Sequence, residues 1–222
     1  MAVLARFARA LSTKVRVRQH VNPLARRFEA PVALPDWPAL FPAGSSTVHL
    51  DIGCARGVYL ASLARKYPKQ CFVGVEIREP LVLEALERLK EDDIRNVHVL
   101  HANMNMHIDA ILSSFTPSLA VSSVSIFHPD PWMKKRHLKR RLVNPSFVQA
   151  LAAHLAPTTP VYLQTDVPEL FEYMVEVFAE HPQLFEEMPG PHETNAMGVP
   201  TDRETFVVDH GGDIYRTTFR VK

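Results

Sequence analysis

The chain has little cysteine, no long apolar run and no acid in its first 28 residues. Each shortage excludes something. Cys54 and Cys71 are the only cysteines, and they fall in different predicted elements without metal-ligand spacing. They support neither a disulfide framework nor a zinc site, so a reducing compartment is the default and no metal is expected. No stretch approaches the roughly 20 apolar residues that span a bilayer, so no membrane partner is expected. There is no internal repeat and no low-complexity segment. Residues 1–14 lack the continuous apolar core of a secretory signal. Their arginine, serine, threonine and alanine fit either a basic arm on a cytoplasmic protein or a plastid or mitochondrial transit peptide.

Net charge is also scarce, at +1, but it is unevenly placed. Seven cations and no acid lie between Met1 and Phe28, and six more cations lie between Lys134 and Arg141. Between Leu163 and Glu204 there are ten acids and one cation, Arg203. A near-neutral total therefore conceals a basic face suited to a polyanion. The length of 222 residues suits one packed domain. Residues 1–46 read as a basic arm followed by a lead-in punctuated by Pro23, Pro31, Pro35, Pro38 and Pro42, and residues 47–222 as the domain.

From residue 47 onward strands and helices alternate. Apolar, β-branched runs predict strands at 47–51, 71–76, 97–102, 119–127 and 161–165. Helices are predicted at 57–67, 79–93 and 106–113, and from Asn144-Pro145, a capping side chain followed by proline. Asp166 with Glu169 predicts a capping box for the next helix. Residues 205–208 and 213–220 predict two β segments joined by Gly211-Gly212. The pattern is α/β: a Rossmann-like, mostly parallel, doubly wound sheet with an antiparallel C-terminal strand.

The stretch HPDPWMKKRHLKRR, residues 128–141, follows the fourth predicted strand directly. Ligands of open α/β sheets bind at carboxyl strand ends. Asp130 stands between two prolines, which stiffen the backbone around its carboxylate. The cations after it suit a phosphate track. VHLDIGCARG places Gly53 and Gly57 in a strand-to-helix turn, where a ligand approaches free amides. Ala55 stands where the dinucleotide fingerprint G-x-G-x-x-G needs its central glycine. Asp51, Glu76, Asn103 and Asp130 close the first four predicted strands in turn. Glu76 suits ribose hydroxyls and Asn103 an adenine edge. An acid in the first motif, without a third glycine, fits a cationic amino-acid moiety. S-adenosyl-L-methionine has one and NAD does not.

Several strings together resemble the bacterial-type tRNA (guanine-N7)-methyltransferase family. They are RVRQHVNPL, DIGCARG, GVEIRE, NVHVLHAN, HPDPWMKKRHLKRRLV, LQTD and PTDRETF. The resemblance implies a class I methyltransferase that uses S-adenosyl-L-methionine to methylate N7 of a guanine in the tRNA variable loop. It implies cofactor contacts at Asp51, Gly53, Glu76 and Asn103, and a catalytic Asp130 that also borders the cofactor. Substrate contacts fall on Lys134, Asp166 and the loop Thr201, Asp202, Arg203 and Glu204. RNA contacts fall on Arg136, His137, Leu138, Lys139, Arg140 and Arg141. Asp130 is expected to accept from the guanine N1–H and N2–H edge, with Asp166 sharing the task. The resemblance is to the type that works without an obligate partner subunit, as a monomer or homodimer. Ala55 departs from a common glycine, His128 from a common phenylalanine, and Met133 sits in a variable slot. Two other classes remain for comparison: a tRNA-binding scaffold without turnover, favoured only by Ala55, and an NAD-dependent oxidoreductase, disfavoured by the missing glycine and the basic run.

Overall fold

The computed structural model describes residues 20–115 and 119–222. The acid-free terminus, its transit-peptide reading and residues 16–19 of RVRQHVNPL lie outside the described residues.

The proline-rich lead-in holds a 3-10 turn at Arg26–Phe28 and a short helix α1 (Trp37–Leu40). It is anchored by Trp37, which is 2% exposed, stacks on Phe115 with ring centroids 4.9 Å apart, and donates its indole N–H to Ser114. The alternating part follows as β1 (Thr47–Ile52), α2 (Val58–Lys66), β2 (Cys71–Glu76), α3 (Glu79–Glu91), β3 (Val97–His101), α4 (Met104–Ser113), β4 (Ala120–Phe127), α5 (Pro145–His154), β5 (Pro160–Thr165) and α6 (Pro168–Ala179). The chain ends with β6 (Phe185–Glu187), α7 (Asp202–Asp209) and β7 (Tyr215–Val221).

The seven strands form one sheet in the order β3-β2-β1-β4-β5-β7-β6. The first five strands pair in parallel, whereas β7 runs antiparallel to both β5 and β6. Strand order reverses direction between β1 and β4, and that switch point is where open α/β sheets leave a crevice. Fully buried Val48, Leu50, Phe72, Val73, Val124, Ile126 and Val161 fill both faces of the central strands, as helix-covered parallel strands require. Among the described residues no helix is long and apolar enough to cross a membrane.

Two expectations need correction. Residues 205–208 are not a strand: they lie inside α7, which Thr201 starts with a capping box to Glu204. The T-x-x-E signature at 201–204 carried that signal, and it outweighs the β propensity of Phe206, Val207 and Val208. Asp166 does not cap α6. The cap position is Val167, whose N–H is taken by the Thr165 hydroxyl, and Pro168 occupies the first turn. Asp166 is engaged elsewhere, by His128 and Arg203. The short edge strand β6 was not anticipated, because three residues carry no period.

Candidate active site

The carboxyl ends of β1, β2, β4 and β5 open onto a two-lobed cavity. One lobe is lined by Val75, Glu76, Ile77, Ala102, Asn103 and Met104. The other is lined by Asp51, Tyr59, Asp166, Thr201, Asp202 and Arg203. Gly53, Arg78, Phe127, His128, Pro129 and Asp130 line both. Asp130 therefore stands where the lobes meet.

The β1 turn is stitched to β2: the Gly53 and Cys54 amides donate to the Val75 carbonyl, at 2.7 and 3.3 Å. Gly53 has φ +90, with nothing within 4 Å of where a Cβ would stand, so the backbone is bare to a ligand there. Ala55 also takes a left-handed φ of 48, which costs a non-glycine residue about 1 kcal/mol. It stays there because its amide donates to Glu76 Oε2 at 3.0 Å.

Glu76 is 2% exposed and fully occupied. Oε1 accepts from the Arg78 backbone N–H and Nε, both at 2.9 Å, while Oε2 accepts from Ala55 N–H and Arg78 Nη2, both at 3.0 Å. A carboxylate has about four lone-pair sites, so Glu76 has none left for a further donor while Arg78 stays in place. Arg78 was missed at the sequence level, although GVEIRE places it two residues after the acid.

Asp51 has a different environment. A β-bulge between Val48 and His49 shifts the β1–β4 register, so His49 faces Ser123 and Asp51 faces Ser125. Ser125 Oγ donates to Asp51 Oδ1 at 2.5 Å. His49 bridges Ser123 at 2.7 Å and Ser125 at 2.9 Å. Burial pushes the His49 pKa down to about 3, so the ring is neutral. Because the Ser125 hydroxyl is spent on Asp51, His49 Nε2–H donates to Ser125 and Ser123 donates to His49 Nδ1. The three bonds point one way and reinforce one another. Burial pushes the Asp51 pKa up to about 7; the Ser125 hydrogen bond opposes this and the nearby Glu76 adds to it.

Asn103 lines the first lobe, but its side chain is committed. Its amide donates to the Pro23 carbonyl at 2.7 Å, and its oxygen caps α4 through Asn105 N–H at 3.1 Å. An adenine contact of its side chain, as expected from the sequence, would compete with these two bonds.

Asp130 Oδ1 lies 2.9 Å from Nδ1 of His20 on the lead-in, whose ring also packs against Trp132. Two left-handed residues bracket the motif, His128 at φ 50 and Trp132 at φ 42. Such strain is concentrated at sites where surrounding structure over-determines the backbone. Asp166 accepts from Arg203 Nη2 at 2.5 Å and contacts His128 Nδ1 at 3.0 Å. Those hydrogen bonds outweigh the opposing effect of burial and hold its carboxyl below the usual range. Glu204 is also held low: although burial opposes it, Gln164 and Arg216 bind its carboxylate and Thr201 N–H closes the cap. Glu204 thus supports the loop from behind, while Thr201, Asp202 and Arg203 face the cavity.

The basic run folds as a 3-10 turn, Lys135–Arg140. Lys134, Lys135, Arg136, Leu138 and Lys139 are exposed, and His137 is half-buried with its ring edge-on to Trp132. Lys134 lines neither lobe. Arg140 places its guanidinium 4.9 Å from the Trp132 ring centroid and lines the first lobe. Arg141 leaves the track: it is 7% exposed, donates to the Pro131 carbonyl at 2.9 Å and stacks on Tyr173. A buried guanidinium bound to a carbonyl braces the turn rather than meeting a phosphate. No cluster of three or more metal-ligating side chains occurs among the described residues.

This sheet, with its switch-point crevice and acid-tipped strands, has the class I methyltransferase fold. It is shared with the 16S rRNA methyltransferase KamB (TM-score 0.54, 16% identity, 81% of this chain and 90% of that one). It is also shared with a SAM-dependent methyltransferase from Aquifex aeolicus (TM-score 0.52, 14% identity, 85% and 94%). Residues 45–217 match the family described as putative methyltransferase. The tRNA (guanine-N(7)-)-methyltransferase of Microcystis aeruginosa is 42% identical over 210 residues, 94% of this chain and 99% of that protein. That of Thermosynechococcus vestitus is 43% identical over 205 residues, 92% and 94%. The chain belongs to the tRNA (guanine-N7)-methyltransferase family.

Proposed function

We propose that this chain transfers a methyl group from S-adenosyl-L-methionine to N7 of a guanine in the tRNA variable loop, with Asp130 as the catalytic group. The observation that carries the reading is that Asp130 alone among the acids lines both lobes of the cavity. The relatives' names supply the reaction class, and the donor set fits the cofactor. Glu76 suits a ribose diol once Arg78 yields, Gly53 bares the backbone, and Asp51 suits an ammonium group. S-adenosyl-L-methionine, when bound, supplies an electrophilic methyl group on a sulfonium.

Guanine N7 carries an in-plane lone pair, so no proton leaves before attack and no strong base is required. The work of the chain is alignment, which lowers a barrier by roughly 7–11 kcal/mol. N7 and the N1–H/N2–H edge lie on opposite sides of guanine. One carboxylate does not serve both, so the task first given to Asp130 is divided. The second lobe takes the guanine beside the Asp51 end of the cofactor and is the substrate lobe; Asp166, which lines this lobe alone, accepts from N1–H and N2–H. Asp130, at the junction, stabilises the positive charge that grows on the imidazole side as the methyl arrives. Thr201, Asp202 and Arg203 close the substrate lobe, and Lys134, Arg136, Lys139 and their neighbours bind tRNA phosphates. His20 leaves Asp130 when the guanine enters.

We further propose that the chain acts without an obligate partner subunit, as a monomer or homodimer. Its compartment is then one that holds tRNA, the cytoplasm in the first instance. Asp130→Asn tests the central claim. tRNA binding is expected to stay within a few fold of the parent, while transfer of labelled methyl to 7-methylguanine falls by about a hundredfold or more. Full activity in that variant would sink the role.

A further inference from the structure

We propose that His128 is a positioning residue that sets selection for guanine, by holding the Asp166 carboxylate as a pure acceptor facing the substrate lobe. The inference rests on the reading of Asp166 above and deepens it. Hydrogen bonding alone assigns the His128 tautomer. Gln164 is 1% exposed, and its Oε1 accepts from Arg216 Nε at 2.9 Å. Its other end lies 3.0 Å from Glu204 Oε2, which only accepts, so that end is the amide nitrogen. The same nitrogen lies 3.0 Å from His128 Nε2. His128 Nε2 must therefore accept, so the proton sits on Nδ1 and is donated to Asp166 Oδ1 at 3.0 Å.

Arg203 holds the other oxygen of Asp166. With the backbone N–H of Asp166 as a third internal donor, the carboxylate still keeps lone-pair capacity toward the cavity. Guanine offers two donors, N1–H and N2–H, to such a group. Adenine offers an unprotonated N1, which meets acceptor with acceptor. A phenylalanine at position 128 has no donor and leaves Arg203, a side chain that is 52% exposed, as the one side-chain donor to this carboxylate.

The arrangement also resists protonation of His128. A proton on Nε2 would face the Gln164 NH2 group, donor against donor. The charged groups around the ring are Asp166 after β5, Arg203 and Glu204 on α7, and Arg216 on β7 behind Gln164. Burial, then Arg203, push the ring toward its neutral form; the hydrogen bond and charge of Asp166, and the charge of Glu204, oppose them, and the net effect is a lowered pKa.

The test compares His128→Phe with His128→Asn, which restores an N–H near the Nδ1 position. Thermal melting shows first that both variants fold. The Phe variant is expected to lose about tenfold in kcat/KM for tRNA, through a raised KM, with cofactor affinity within twofold of the parent. The acid limb of its kcat/KM profile is expected to move to higher pH, because Asp166 loses a donor that lowers its pKa. The Asn variant is expected to return both readouts most of the way. A Phe variant with the parental KM and acid limb overturns the proposal. Asp166→Asn separates the two failures. Normal methylation there overturns the guanine-edge reading itself. An inactive Asp166→Asn beside a parental His128→Phe overturns only the role of His128.

Discussion

The site divides by proposed role into a cofactor half, Asp51, Glu76 and Asn103, and a substrate half, Asp166 and the loop from Thr201 to Glu204. Asp51 shares a lobe with Asp166, yet Asp51 and the two buttressed acids of the substrate half are held in opposite ways. In the cofactor half, Asp51 has one hydroxyl donor and is buried, and its pKa rises to about 7. In the substrate half, Asp166 and Glu204 are each clasped by several donors and are held low. Desolvation acts on all three, and the number of donors decides the sign. The first half keeps, beside Glu76 with its arginine, a carboxylate that lacks a cation. The second keeps carboxylates whose charge and direction are already set.

Substitutions should separate the halves, with stability and ligand affinity as the readouts. The largest expected effect is at Glu204→Ala. It leaves Arg216 nearly buried without its carboxylate, and urea unfolding should show a loss of about 3–5 kcal/mol. A small loss would mean that the substrate half is not braced as described. Asp51→Asn should do the reverse. At pH 8 it removes a buried, poorly compensated charge, so stability should rise by about 1 kcal/mol or more while cofactor affinity collapses.

The parent protein should itself show the difference in pH. A cationic ligand favours ionised Asp51, so binding drives off its proton. Cofactor affinity, measured by calorimetry, should be full above pH 7 and decline as pH falls through that value, by at most about tenfold per unit. Asp51→Asn should flatten that slope. Smaller again, Thr201→Ala removes the α7 cap and should lower stability by about 1 kcal/mol. Smallest, Ala55→Gly relieves a left-handed backbone and should raise the melting temperature slightly, by about 0.5–1 kcal/mol in stability, with turnover retained.

The cofactor half was largely legible beforehand, because strand-end acids repeat with the strands. Asp51, Glu76 and Asn103 are found by counting predicted strands, and β2 falls on the expected residues, Cys71–Glu76. Of the partners of Glu76, Arg78 lies two positions away and Ala55 lies 21 away, in the turn after the preceding strand. The substrate half was less legible, because its contacts join distant residues. His128 meets Asp166 across 38 positions, Gln164 meets Glu204 across 40 and Arg216 across 52. No local pattern encodes those distances. The one local signal present, the capping box at Thr201 to Glu204, was overshadowed by the β-branched residues that follow it. The basic run illustrates the same limit: Arg141 and Lys139 look alike in sequence, but only one of them is buried.

The sequence by itself determined the alternation of strands and helices, the acids at strand ends and the basic segment beside them. Those follow from periodicity and residue chemistry, which are local. Only the tertiary structure decided which acids carry a raised and which a lowered pKa, which arginines face solvent, and that Asp130 stands between two lobes. Those depend on desolvation and on donors brought from elsewhere in the chain. A bulge in one strand pairing sets Asp51 opposite Ser125, and one buried amide, that of Gln164, turns the His128 donor toward Asp166.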